Sequence, residues 1–205
     1  LLYVLGNFYF RWALRVMDES EGSPSATTLQ SAADHLQEAT RYAEQAVRFG
    51  AESGLRAVSL ELLANINNEL ATVARLAENT SAYLAYLNDA IAYFQSYLEP
   101  GSESYNLREV LGPRMVQRIL YSVNNRTTPP QQIVAWIDEY RVWFPENADR
   151  FVTLEARLLA ADPVTAADLD RLAELATVHP SRYELQELAA RAHRDAGADG
   201  RLEVA

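Results

Sequence analysis

Residues 86–100 read YLNDAIAYFQSYLEP, Tyr86 to Pro100. Tyr86, Ala90, Phe94 and Leu98 recur every four residues, with Ile91 alongside, so the apolar groups fall on one stripe of a helix. Ala90 is the small member. It lets a neighbouring helix approach closely, while Phe94 and Leu98 fill the space beside it. Pro100, with Gly101 and Ser102, is expected to stop this helix. One amphipathic helix cannot bury such a stripe alone, so the stretch calls for neighbours of the same kind.

Half-motifs of that kind recur along the chain. Leu2-x-x-Leu5-Gly6-x-x-Tyr9 opens it, and the first helix is expected to reach about Met17. Residues 18–28 read as a solvated loop, with Thr27 or Thr28 capping a second helix that carries Ala39, Ala43 and Ala46 and ends near Gly50. Leu60-x-x-Leu63-Ala64-x-x-Asn67 follows, its apolar spacing continuing through Leu70, Val73, Ala74 and Leu76. Asn79-Thr80-Ser81 gives a break and a cap before the helix of Tyr86–Glu99. Leu111-Gly112 lies within a further helical run, where Pro113 predicts a kink or a restart. Asn124–Pro130 reads as a polar loop. Pro129-Pro130 then open the helix QQIVAWIDEYRVWF, which Pro145 ends. Phe151, Leu154 and Leu158 mark the next helix, with Glu155 where a small residue is expected, and Asp162-Pro163 make its turn. Leu169, Leu172, Leu175 and Ala176 line the following helix, which runs up to His179-Pro180. Leu185, Leu188, Ala189 and Ala192 mark another, with a turn at Ala196-Gly197.

The W-x-x-L-G-x-x-Y spacing of the opening half-motif, with leucine for tryptophan, and the A-I-x-Y-F core of residues 90–94 resemble the tetratricopeptide repeat family, in divergent and elongated form. The resemblance implies an all-α, right-handed α-solenoid of antiparallel helix pairs, about nine helices in a single domain. The approximate repeats are 1–52, 53–103, 104–147, 148–181 and a partial 182–205. No segment alternates long enough to predict a strand. A closed, non-repeating bundle is the competing all-α arrangement.

The 205 residues are 49% hydrophobic, ample for a sizeable core. Cysteine is absent, which excludes disulfides and thiolate metal sites. All 18 basic residues are arginine, a composition that fits a GC-rich bacterial genome, and the net charge of −10 argues against nucleic acid as a partner. The apolar opening is interrupted by Arg11 and Arg15, short of the ~20 residues that span a membrane. It reads as a first repeat helix, with a fragment or processed product expected and an upstream anchor left open.

Catalytic chemistry finds no foothold in the sequence. His35, His179 and His193 lie far apart, and no H-E-x-x-H, G-x-S-x-G or phosphate-binding glycine loop is present. Glu61 and Glu69 read as carboxylates on a solvated face. Trp136, Tyr140, Trp143 and Phe144 read as core. The expectation is therefore a non-enzymatic chain with no cofactor, no metal and no small-molecule substrate. The resemblance implies a groove lined by the first helix of each pair, with Asn7, Arg11, Asn65, Asn68, Glu69, His193 and Arg194 as protein-binding candidates. Phe8 and Phe10 join them on the apolar first helix. The expected partner is a protein or peptide, in a bacterial assembly or accessory subunit of a membrane-associated complex. The alternatives are an accessory domain of a larger envelope glycan or polysaccharide enzyme system, and a small-ligand-binding helical domain.

Overall fold

The computed structural model describes residues 1–20, 23–50, 53–100, 105–161 and 164–198. Among them it is all-helical, with no strand: nine α-helices, one π-helical turn and one 3-10 segment. The chain divides into two compact units, Leu1–Arg118 and Ile119–Ala205, and the division falls inside the fifth helix.

Unit 1 begins with α1 (Leu2–Asp18), α2 (Ala26–Phe49), α3 (Ser53–Leu76) and α4 (Thr80–Gln95). Each packs chiefly on its neighbour in sequence, with a smaller contact between α1 and α3. Small residues form the seam. A Cβ placed on Gly6 would stand 3.3 Å from the Ala39 carbonyl oxygen and 3.4 Å from the Ala43 amide. Ala39, Ala43, Ala64 and Ala90 are fully buried, together with Leu36, Leu63, Ile66, Leu87 and Phe94. The small residues of the expected seam are thus buried, whereas Leu2, Leu5, Tyr9, Leu60, Tyr86 and Leu98 of the same patterns are half-buried and Leu76 is exposed.

Several boundaries differ from the sequence reading. Ser25, rather than Thr27 or Thr28, caps α2, its hydroxyl accepting from the Thr28 amide at 3.1 Å. Helix α4 starts at Thr80, capped by Asn79, and ends at Gln95, well before Pro100. Ser96 closes it, donating its hydroxyl to the Tyr93 carbonyl at 2.6 Å. The α-helix starts afresh at Gly112, next to Pro113 as expected, but without a break in the helical run. Asn106–Leu111 form a π-helix that runs directly into α5 (Gly112–Asn125). The proline cannot donate to the carbonyl one turn back, and a widened turn just ahead of it lets the chain stay helical. The carboxamide of Asn106 fastens that turn, donating to Glu61 at 2.8 Å and to the Tyr97 hydroxyl at 3.4 Å. Burial, reinforced by the Glu61 charge, raises the Tyr97 phenol above its ordinary range.

Helices α3 and α5 both end through a non-glycine residue in the left-handed region, Glu78 at φ 56° and Arg126 at φ 51°. Each sits where the chain turns back to satisfy the last carbonyls. The Asn79 amide reaches Ala74 at 2.8 Å, and the Thr127 amide reaches Ser122 at 3.3 Å.

Unit 2 contains α6 (Pro130–Trp143), a 3-10 segment (Pro145–Phe151), α7 (Val152–Leu159), α8 (Ala166–Val178) and α9 (Tyr183–Ala198). Pro130 begins α6 and Pro145 follows its end, as expected. Asp162-Pro163 and the segment beyond Ala198 lie outside the described residues. Helix α9 continues through Ala196 and Gly197, where a turn had been expected. Helix α7 presents Val152, Ala156 and Leu159 to the core, while Leu154 and Leu158 are only half-buried. The phase read from the sequence was therefore one position off in this helix. Tyr140 stacks on Phe144 at 4.9 Å and meets Phe151 edge-on at 5.2 Å; Tyr140, Trp143 and Phe144 are core as expected, whereas Trp136 is half-buried.

Glu155, on the buried face of α7, has no solvent exposure. Its carboxylate accepts from Arg141 of α6 and, at 3.0 Å, from Arg171 of α8. Asp138 bridges the same two guanidinium groups at 3.0 and 3.1 Å. A buried carboxylate is tolerated only when its oxygens are satisfied in this way.

Two substitutions test this packing. Ala90→Leu overpacks the α3–α4 seam and should lower stability by about 1–3 kcal/mol in thermal or denaturant unfolding, whereas an unchanged midpoint would place Ala90 outside the seam. Glu155→Ala leaves two arginines facing an apolar gap and should cost about 3–5 kcal/mol, as opposed to the small loss of a surface pair.

Candidate functional site

The sequence-derived candidates fall on three elements. Asn7, Phe8, Phe10 and Arg11 stand on α1, Asn65, Asn68 and Glu69 on α3, and His193 and Arg194 on α9 of unit 2. His193 and Arg194 are exposed, while Asn7 and Asn65 are half-buried on their helices. Phe10 is half-buried, one side of it packed against the unit 1 core. Phe8 points outward and is half-exposed.

Phe8 belongs to a longer stripe. Leu1, Val4, Phe8 and Trp12 follow one another at spacings of three or four and are 93, 62, 50 and 49% exposed. The ring of Phe8 meets Trp12 edge-on at 5.5 Å. Arg11, Arg15, Val16 and Glu19 extend this face, and together with Phe8 and Trp12 they line a surface depression of about 530 Å³. Arg15 pairs with Glu19 at 2.6 Å, both side chains being largely exposed, so the pair contributes little. Arg11 has no such partner among the described residues. Inward of the stripe, Tyr9 stacks on Tyr42 at 5.7 Å and Trp12 tilts against His35 at 5.6 Å. His35 is thereby part of the α1–α2 packing.

The second surface lies where α3, α4 and α5 of unit 1 meet. Asn68, Thr72 and Arg75 recur on one face of α3 and, with Tyr83, Arg114 and Gln117, line a polar pocket of about 160 Å³. Arg114 donates through one terminal nitrogen to the Gln117 carboxamide oxygen at 2.8 Å. Its Nε is buried with no partner among the described residues. Thr72 donates to the Asn68 carbonyl at 3.2 Å, and the Asn68 amide donates to Glu69 at 3.3 Å. Asn68 and Glu69 are thus brought together, with Arg114 close enough to act on the Glu69 charge.

Glu69 and Glu61 are not on a solvated face. Both are half-buried. Loss of hydration raises the Glu69 carboxyl above the ordinary glutamate range, Asp18 adds to the rise, and Arg114 with the Asn68 hydrogen bond opposes it. Thr72, Arg75, Arg114 and Gln117 were not singled out from the sequence. For Thr72 and Arg75 a signal existed, since they follow Asn68 at helical spacing of four and seven. For Arg114 none did, because the π-turn ahead of it alters the helical phase.

His179 caps α8, and its Nε2 lies 3.7 Å from Asp149 rather than at the helix-end carbonyls. Among the described residues, no group of three or more histidine, aspartate or glutamate side chains is placed to hold a metal ion. None of the described helices is long and apolar enough to cross a membrane. No family profile, curated protein or solved structure matches this chain.

The Glu69 shift has a measurable consequence. A carboxyl that binds its proton more tightly folded than unfolded opposes folding once it ionises, so stability falls as pH rises through its folded-state value. Glu69→Gln keeps the shape and the acceptor for Asn68 but removes the charge. It should raise the melting temperature at neutral pH, and the difference should shrink as pH falls to about 4. A melting temperature lowered at neutral pH would show that the Arg114 interaction outweighs the desolvation.

Proposed function

We propose that this chain is a non-catalytic protein-interaction module of tetratricopeptide-like helix pairs, and that the outward face of α1 is its docking surface. The observation that carries the reading is the exposed stripe Leu1, Val4, Phe8 and Trp12. Contiguous apolar surface of this kind favours association. Neighbour-on-neighbour packing within each unit and the Gly6 seam support the repeat-like architecture.

The charge on α1 selects the occupant. Its stripe is apolar in the first half and carries Arg11 and Arg15 in the second. Two parallel copies of α1 would set arginine against arginine, and two antiparallel copies would lay arginines on Leu1 and Val4. The partner that fits is a helix of another protein, with an apolar edge followed by carboxylates that meet the arginines. The arginine-only composition and the apolar opening support a bacterial assembly or accessory subunit of a membrane-associated complex as the setting.

A designed 18-residue helical peptide with a leucine stripe tests the reading, carrying either two glutamates or two lysines at the positions opposite Arg11 and Arg15. Fluorescence anisotropy should show saturable binding of the glutamate form and much weaker binding of the lysine form. Joint Phe8→Ser and Trp12→Ser substitution should weaken the former by about tenfold or more, since each aromatic contributes on the order of 1–2 kcal/mol when covered. Equal binding by the doubly substituted protein, or no preference for glutamate, would refute the proposed face.

A further inference from the structure

The pocket between α3, α4 and α5 is built from donors. Arg75 and Arg114 supply two permanent cations, Gln117 an amide whose oxygen Arg114 already holds, and Tyr83 a hydroxyl that is almost fully buried. Neither Arg75 nor Arg114 has a carboxylate within ion-pairing distance among the described residues. The nearest acid, Glu69, acts on Arg114 only through its charge and sits in a position that burial disfavours for an anion. Two guanidinium groups lining one pocket without a salt bridge leave its positive charge unmatched. The arrangement is relieved by an anion placed between them.

We propose that this pocket binds a phosphoryl group, as inorganic phosphate or as the head of a small phosphomonoester. Size and donor number decide the class. About 160 Å³ admits one compact oxyanion with a few waters and excludes a nucleotide or a sugar chain. A carboxylate offers two oxygens and one charge, which leaves part of two guanidinium forks and an amide unused. A phosphomonoester offers three terminal oxygens and a charge of nearly −2 at neutral pH, matching both cations. Because the chain carries a net charge of −10, no long-range field draws the anion in, so affinity must come from these short-range donors. The site is separate from the α1 face, and neither reading depends on the other.

Isothermal titration of the whole chain at fixed ionic strength tests the assignment, with inorganic phosphate, O-phosphoserine, glycerol phosphate and acetate as separate probes. One phosphate-bearing probe should saturate a single site, and acetate should bind at least about tenfold more weakly. Which of the three phosphate probes binds best identifies the source. Arg75→Gln, at an exposed position that leaves the fold intact, should weaken that binding by about tenfold without moving the ligand-free melting temperature. Arg114→Lys should weaken it too, because lysine keeps the charge and loses the fork. Acetate binding as tightly as phosphate, no saturable binding by any probe, or affinity unchanged in Arg75→Gln would each overturn the proposal.

Discussion

The close approach of α1 to α2 at Gly6 sets the arrangement of unit 1. With no side chain at that position, the α1 backbone lies against the Ala39 carbonyl and the Ala43 amide. The larger residues of α1 are then forced aside. Tyr9 turns towards Tyr42, Phe10 goes into the core, and Leu62 of α3 reaches the same point from the other side. Leu1, Val4, Phe8 and Trp12 are left on the far face, with Phe8 half-exposed and Trp12 covered on one side by His35. The exposed apolar stripe is thus a geometric consequence of the seam.

Polar groups stabilise this arrangement where the seam cannot. Asn67 occupies a position with an aromatic in the resembled repeat, and it is buried. It avoids an unpaired amide by donating to the Leu63 carbonyl at 2.9 Å, one turn back on its own helix. The π-turn before Pro113 is tied to α3 through Asn106 and Glu61, so the irregularity is fixed rather than free to slide. Unit 2 solves the equivalent problem differently. Where a small residue was expected, Glu155 brings a charge into the core, and Arg141 with Arg171 must follow it in. Such a cluster specifies which helices meet more than it adds stability.

The helical class, the run of helices and the small-residue seam were legible because each rests on local periodicity. Gly6, Ala39, Ala43, Ala64 and Ala90 are buried where the spacing puts them. The misreadings cluster where local rules compete. Serine, threonine and asparagine all cap helices, so the choice of Ser25 over Thr27 depended on the path of the preceding loop. The end of α4 was set by the Ser96 hydroxyl, not by the more conspicuous proline. In α7 the pattern offered Leu154 and Leu158, but the helix turned Val152, Ala156 and Leu159 inward because Glu155 had to reach two arginines on other helices. No single-helix periodicity contains that requirement. The α1 face was visible as an apolar stretch, yet only packing could separate outward Phe8 and Trp12 from inward Phe10. The pocket was least legible, since it joins residues some forty positions apart across a change of helix type.

With every cation an arginine, surroundings rather than residue type distinguish one basic side chain from another. Arg141 and Arg171 are held by carboxylates on neighbouring helices, and their forks are occupied. They can be removed only by exposing Glu155, so their role is internal. Arg75 and Arg114 share a pocket lined otherwise by neutral side chains, with Glu69 acting on Arg114 only through its charge, and Arg11 stands at the edge of an apolar stripe. An unpaired guanidinium in water costs little, but Arg114 is half-buried with its Nε unpartnered, and Arg75 adds a second positive charge at the same pocket. The same chain contains 28 acids, so pairing them internally was chemically open. That pairing exists in unit 2, and among the described residues it is missing around the pocket of unit 1. Within unit 1, Arg15 and Arg41 are paired with carboxylates on their own helices, so Arg75 and Arg114 are the pair left open to the anion that the phosphate proposal supplies.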